Sequence, residues 1–388
     1  MPGSTVLSDI KIADMTSVLF GPYCTQTLAD MGADIVKIET GFGDIVRLLG
    51  ASAKSEKMGA MHLLVNRGKR SVVWDPKSGP GKEATRRLIE ESDVFIHNIR
   101  PDALKRLGLT FDEVKEIKKD IVYVHCLGYG TDGPYCGQPA YDDLIQGLSG
   151  ITSLMPRVDE SGVPRFFPMA VADKVSALHA VHATLAALLQ RNKTGEAVHV
   201  EVPMLECVTN FVLEDHLGEG IFDPPMGEMG YERQLDPTRN PLKTTDGWIV
   251  VAPYTDDRWV QTFKLLDAAH ELEDERLVDW DSRRKNRRYM QQRLEVYVAK
   301  ASSEHWLTLF ADNDIPVAPV RQLEDLADDP HLREVGFFQQ AQHPTEGGYW
   351  EMQPPVEFKG VATQPIRPAA KLGEHTDEVL QELGVKIP

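Results

Sequence analysis

The sequence predicts a doubly wound α/β sheet followed by a smaller α+β unit. Short apolar runs alternate with helix-length segments through the first half of the chain, the texture of parallel strands joined by helical crossovers. The first strand–helix–strand unit is complete by Glu39. The texture then breaks over 218–240, where Gly, Pro, Met and charge are dense and no period appears; such a stretch is a linker or an active-site loop.

The elements follow in order. Lys11 to Met15 reads as a short buried strand. Thr16 to Pro22 is a turn that starts a helix, with proline near the first helical position, where its missing N–H is no loss. The helix over 23–31 stops at Gly32, a C-cap signal. A second strand, 34–39, carries Ile35, Val36 and Ile38. Further strands are predicted at 71–75, 93–97 and 121–127, with helices at 81–92 and 111–118. Helices at 140–149 and 173–191 precede a strand at 197–202, in which Val198 and Val200 alternate, and a helix at 203–217. Beyond the break, 241–327 contains a Thr245-Asp246-Gly247 turn, a strand at 248–252 and helices near 256–267, 284–301 and 303–312. Extended segments from 329 lead to a last helix at 376–383.

Asp173 stands where the long, small-residue helix begins, with Ala183, Ala186 and Ala187 further along it. An acid in a first turn is favoured by unpaired N–H groups and the helix dipole, so a capping role is one reading, and ionisation at pH 7 is expected. The other reading is chemical. Alanines allow close approach of neighbouring backbones, and a carboxylate held partly dry at a crowded helix end can act as nucleophile or base.

The composition limits the partners. The 388 residues are 42% hydrophobic and 26% charged, with a net charge of −17. That surface repels nucleic acid and anionic membranes, so an anionic ligand must be met by local basic islands. Two stand out, Arg67 to Arg70 and Arg100 to Arg106; the run Arg283 to Arg288 reads as a solvated helix face. No apolar run is long enough to span a bilayer, and the first residues show no secretory signal. Four widely spaced cysteines without a C-x-x-C fit reduced thiols in a cytoplasm, and no metal site is expected; His179 and His182 are too few ligands for one. Gly128-x-Gly130-x-x-Gly133 follows a strand, but Pro134, Gly137 and Pro139 replace the helix that a dinucleotide site needs. Gly79-Pro-Gly-Lys82 lacks the parts of a phosphate loop, and no G-x-S-x-G elbow occurs.

Taken together, several stretches resemble one family. They are Ile12 to Thr25, Leu28 to Glu39, Asn66 to Ser71, His97-Asn-Ile-Arg-Pro101, Gly128 to Tyr135, Ala172-Asp-Lys174, Ile315 to Val320 and Leu372 to Asp377. In number and order they are similar to the class III CoA-transferases, the group of formyl-CoA and carnitine CoA-transferases and their 2-methylacyl-CoA racemase relatives. The resemblance implies a Rossmann-like large domain, 1–217 with 328–388 returning to it, and a small α+β domain, 218–327 with linkers, in an interlocked homodimer. It implies coenzyme A thioesters as substrates, with Asp173 as the nucleophile that becomes an aspartyl-CoA thioester. Ser17, Val18 and Phe20 fall on the turn against the pantetheine arm; Trp74, Lys77, Asn98, Ile99 and Arg106 fall on the adenine and phosphate pocket. Several relatives have a basic residue at Thr40 and an aromatic at Ile99, and Trp74 could supply the ring face that Ile99 lacks. Backbone N–H groups of turn 17–21 or loop 225–230 are candidates for the oxyanion hole, and Arg233 or Arg239 for holding a second carboxylate of the acceptor.

Two alternatives accompany this reading. A racemase needs two proton-transfer groups facing the carbon beside the thioester. Its relatives carry a His-Asp pair where this chain has Tyr141 and Asp142, so the usual base is missing. A catalytically inactive CoA-binding protein is the other; the presence of Asp173 counts against it. The short Pro225 to Gly230 loop does not resemble the long Gly-rich loop of formyl-CoA transferases, so oxalate specificity is not expected; small dicarboxylates such as succinate are a guess at the acceptor.

Overall fold

The computed structural model describes residues 5–362 and 365–387. The opening residues 1–4, read above for a targeting signal, lie outside them. The chain divides into two compact units. One holds the described residues up to Thr152, then Arg165–Glu214, then those from Gly336 onward; the other holds Ser153–Pro164 and Asp215–Val335.

The first unit is built on six parallel strands: β1 (Lys11–Met15), β2 (Asp34–Glu39), β3 (Lys69–Val73), β4 (Val94–His97), β5 (Val122–Leu127) and β6 (Val198–Pro203). Their order across the sheet is β3-β2-β1-β4-β5-β6. The chain therefore winds outward from β1 in one direction, returns to β4 and winds outward in the other. β4 is buried along its whole length, as a strand covered by helices on both faces must be. The core on one face gathers Ala13, Val72, Phe95, Tyr123 and Val379. The last helix, Thr376–Glu382, reaches that core, and the His375 N–H donates to the Ser71 carbonyl at 2.9 Å, which ties the C-terminal stretch to β3.

β3 starts two residues before the predicted 71–75 because the charges of Lys69 and Arg70 are neutralised locally. Lys69 Nζ donates to the Pro22 carbonyl at 2.9 Å and to Asn66 Oδ1 at 2.8 Å. Arg70 pairs with Asp34, Glu378 and Glu382. Arg67 pairs with Asp30 at 2.8 Å, both nearly buried. The first basic island is thus part of the fold and offers no charge to a ligand. Its acids are distant in sequence, so local reading could not find them. The helix Pro101–Leu107 and the antiparallel hairpin Phe338–His343 with Gly347–Met352 are also absent from the sequence prediction.

The second unit has a three-stranded antiparallel sheet, Leu242–Lys243, Trp248–Val251 and Val317–Pro319. Its core includes Leu242, Ile249, Phe263, Leu294, Val298 and Phe310. It also takes Ser153–Pro164, which the sequence places within 1–217. Arg157 in that segment donates to the Met229 carbonyl at 2.9 Å.

Candidate active site

In an open α/β sheet the winding reverses at a crevice beyond the carboxyl ends of the strands, and ligands bind there. Here the reversal lies between β1 and β4. A cavity of about 260 Å³ occupies that place, lined by Ser17, Val18 and Phe20 after β1, Asn98 and Ile99 after β4, and His125 to Tyr129 from β5 onward. Asp173, Tyr141 and Asp142 also line it. Of the nine residues read from the sequence, six meet in this cavity: Ser17, Val18, Phe20, Asn98, Ile99 and Asp173.

The turn after β1 is held from several sides. The Ser17 N–H donates to Asn98 Oδ1 at 3.0 Å, and Asn98 Nδ2 donates to the Ser17 carbonyl at 2.8 Å. Asn98 therefore clasps the two loops at the switch point. The Val18 N–H donates to Asp44 Oδ1 at 3.0 Å, and Asp44 pairs with buried Lys37 at 3.1 Å. Val18 sits at φ 68°, a left-handed conformation that a β-branched side chain rarely adopts and that costs of order 1–3 kcal/mol. The N–H groups of Ser17 and Val18, expected as oxyanion donors, already have acceptors. Gly21 is required beside them: a Cβ there would stand 2.2 Å from Thr16 Cβ.

Asp173 lies in the first turn of the helix Val171–Thr194. This helix packs against the helix Phe20–Asp30, and Ser176, Ala177, Ala180 and Thr184, all fully buried, keep its buried side small. Asp173 is not the cap. Asp142, at the start of the helix Asp142–Leu148, reaches across and accepts from the Ala172 N–H at 2.7 Å and the Asp173 N–H at 3.0 Å. Its other oxygen accepts from Gln146 Nε2 at 2.6 Å, and Gln146 Oε1 accepts from the Phe167 N–H at 2.8 Å. With the end of its helix served by a neighbour, the Asp173 carboxylate is left to the cavity. Burial, and then the charge of Asp142, push its pKa up to about 7. The expectation of full ionisation at pH 7 is thus corrected: desolvation outweighs the dipole, which is shared with a second carboxylate. The Asp142–Gln146 pair, four residues apart, was the one sequence signal for this arrangement.

Three expected contacts lie outside the cavity. Trp74 is 3% exposed and packed in the core, with its indole N–H donating to Thr85 Oγ1 at 2.9 Å, so it offers no ring face to a ligand. Lys77 and Arg106 are exposed and do not line it. Arg100, unremarked as a single residue above, does line it.

Among the described residues, one group has metal-ligand spacing: His125, His199 and Glu201, with ligand atoms within 4.8 Å of one another. His125 Nε2 lies 3.0 Å from the Ile99 carbonyl, and Glu201 accepts the Thr131 hydroxyl, so two of the three are engaged in the fold. No helix among the described residues is long and apolar enough to cross a membrane.

Comparison with known proteins gives a family and a fold. A sequence model of CoA-transferase family III matches residues 7–376. The chain is similar to the succinate–glutarate CoA-transferase of Agrobacterium fabrum, 29% identical over 97% of this chain and 95% of that protein. It is likewise similar to the formyl-CoA:oxalate CoA-transferase of Escherichia coli, 29% identical over 98% and 96%. The crystal structure of a CaiB/BaiF family protein from Brucella suis superposes with a TM-score of 0.84 at 28% identity, covering 98% of this chain and 99% of that one.

Proposed function

We propose, from the premise that this chain belongs to CoA-transferase family III and is a class III CoA-transferase, that it moves CoA between an acyl-CoA thioester and a small dicarboxylic acid through a covalent aspartyl-CoA on Asp173. One observation carries the assignment: at the sheet's switch point, a carboxylate relieved of capping by Asp142 lines the cavity beside Ser17, Val18 and Phe20.

The ionised Asp173 carboxylate attacks the donor thioester carbonyl and expels CoA thiolate, leaving a mixed anhydride. The thiolate attacks the aspartyl carbonyl of that anhydride; the donor acid departs as carboxylate, and Asp173 is left as a CoA thioester. An acceptor carboxylate attacks this thioester and expels thiolate again, and the thiolate takes the acceptor's acyl group from the second anhydride, restoring Asp173. The relay divides one difficult exchange into easier steps. The cavity contributes position and exclusion of water, which would otherwise hydrolyse either anhydride. Incubation with succinyl-CoA, then hydroxylamine, followed by peptide mass spectrometry tests this: a hydroxamate on Asp173 is expected, and an adduct on Asp142 or Glu39 would refute it. Dicarboxylate acceptors are favoured by the names of the similar enzymes, which act with succinate, glutarate or oxalate. Tyr141, standing where racemase relatives carry histidine, favours transfer over racemisation.

The adenosine end of CoA is assigned to Lys77 and Arg106, whose exposed side chains lie outside the cavity that takes the thioester. Arg106→Ala is expected to raise KM for CoA substrates about 10-fold, from loss of roughly 1.5–3 kcal/mol in a charge-assisted bond, with kcat little changed. An unchanged KM and salt dependence would remove Arg106 from the site. The enzyme is proposed to act in the cytoplasm as an interlocked homodimer; light scattering should give about twice 43.3 kDa at micromolar concentration, and a monomer would exclude that assembly.

A further inference from the structure

The second unit holds a cavity of its own, about 350 Å³, within the range of about 300–1,000 Å³ usual for small-molecule sites. Arg233 and Arg239, the alternatives offered by the sequence for holding the acceptor's second carboxylate, line it together with Arg284 and Arg287. A single carboxylate, Asp236, lines it too, and is already engaged: it accepts from the Thr238 N–H at 2.8 Å and hydroxyl at 2.7 Å, and faces Arg288 at 3.6 Å. Arg284 has only a long pair with exposed Asp281, at 3.8 Å. Arg233 lies over the Tyr254 ring at 5.1 Å. Among the described residues the guanidinium groups of Arg239 and Arg287 have no hydrogen-bond or ion-pair partner.

This is unexpected in a chain of net charge −17, where acids are plentiful. Unneutralised arginines repel one another, and an anion placed among them relieves that repulsion. The guanidinium fork matches phosphate or carboxylate by paired hydrogen bonds. The rest of the lining is of another kind. Trp259, partly buried against the core of the unit, and exposed Trp280 line it, as do Val250, Val251 and Met290. Indoles accept flat rings by stacking. A bare inorganic anion would leave these rings, and most of the volume, unused.

We propose that this cavity is a second ligand site that takes a nucleoside phosphate, with its phosphate on Arg239 and Arg287 and its base against Trp259 and Trp280. The same chemistry has two sources, a free nucleotide or the phosphorylated adenosine end of a second CoA molecule, distinct from the one assigned to Lys77 and Arg106. The site lies wholly within the second unit, and the proposal stands apart from the assignment of Asp173.

The test is calorimetric titration of the full-length protein with ADP, in an Arg106→Ala background that weakens the CoA site of the first unit. ADP should bind saturably, and Arg239→Gln with Arg287→Gln should raise its Kd at least ten-fold while the circular dichroism spectrum is unchanged. Trp280 is 43% exposed, so Trp280→Leu spares the core; it should weaken ADP as well and remove any quenching of tryptophan fluorescence. Adenosine alone and inorganic phosphate alone should each bind more than ten-fold more weakly than ADP. An ADP affinity unmoved by both variants overturns the proposal, as does phosphate binding as tightly as ADP. Competition separates the sources: displacement of ADP by CoA points to the nucleotide end of a second CoA molecule, and its absence to a free nucleotide.

Discussion

Asp173→Ala is expected to abolish CoA transfer, by at least a thousand-fold in kcat, while CoA still binds. Asp173→Asn should do the same, because an amide keeps the volume but is far less nucleophilic. Loss of CoA binding in step with turnover would instead indicate a collapsed helix end. A second readout separates these outcomes. The pKa of Asp173 is raised in the fold, to about 7, against the ordinary value near 4 of an unfolded chain. The native state therefore binds this proton more tightly than the unfolded state, and the group's contribution to stability falls as pH rises between those two values. Asp173→Asn, which has no charge to bury, should melt above the wild type at pH 8 and close to it at pH 4. Equal melting temperatures at both pH values would mean that the Asp173 carboxylate is not dry.

Asp142→Asn is expected to leave the helix capped but move the pH profile. In the wild type, kcat/KM should rise with pH to a midpoint near 7, as the Asp173 carboxyl ionises. Removing the Asp142 charge should shift that midpoint to lower pH. The shift is partial, because burial is the larger of the two causes and remains. Asparagine can still accept from the Ala172 and Asp173 N–H groups. Its amide then meets Gln146 Nε2, whose partner oxygen is held by the Phe167 N–H, so one bond is lost at about 1 kcal/mol. Asp142→Ala loses the cap as well and should cost about 1–2 kcal/mol in stability. With the helix start loosened, turnover should fall at least ten-fold further than in the Asn variant. A midpoint unmoved in Asp142→Asn would show that the two carboxylates do not interact.

Much of the fold was legible from residue order alone. Strands β1, β2, β4 and β5 and the helices predicted at 23–31, 81–92 and 111–118 announced themselves through periodicity, a proline at a helix start and a glycine at a helix end, all of which act over a few residues. Stretches with weaker local signals were not legible. β3 was read from Ser71, but its start at Lys69 and Arg70 reads as a solvated island until their acids arrive from elsewhere in the chain. The hairpin Phe338–His343 with Gly347–Met352 has a half-exposed, polar strand pattern that no short-range rule separates from a loop.

The candidate site divides in the same way. Asp173 could be named from its place at a helix start and from the family motifs around it, and so could the turn at Ser17, Val18 and Phe20. Its chemical state could not. Whether a carboxylate in a first turn caps the helix or faces a ligand depends on which other acid reaches the same N–H groups, and Asp142 lies thirty-one residues earlier in the chain. Trp74 shows the opposite error: an indole suited to stacking on a base is enclosed by the core that the returning C-terminal helix completes. Sequence alone determined which side chains were available and where the chain turns. Tertiary structure decided which were dry, which were paired and which faced the cavity, because burial and Coulomb energy depend on distance in space rather than along the chain.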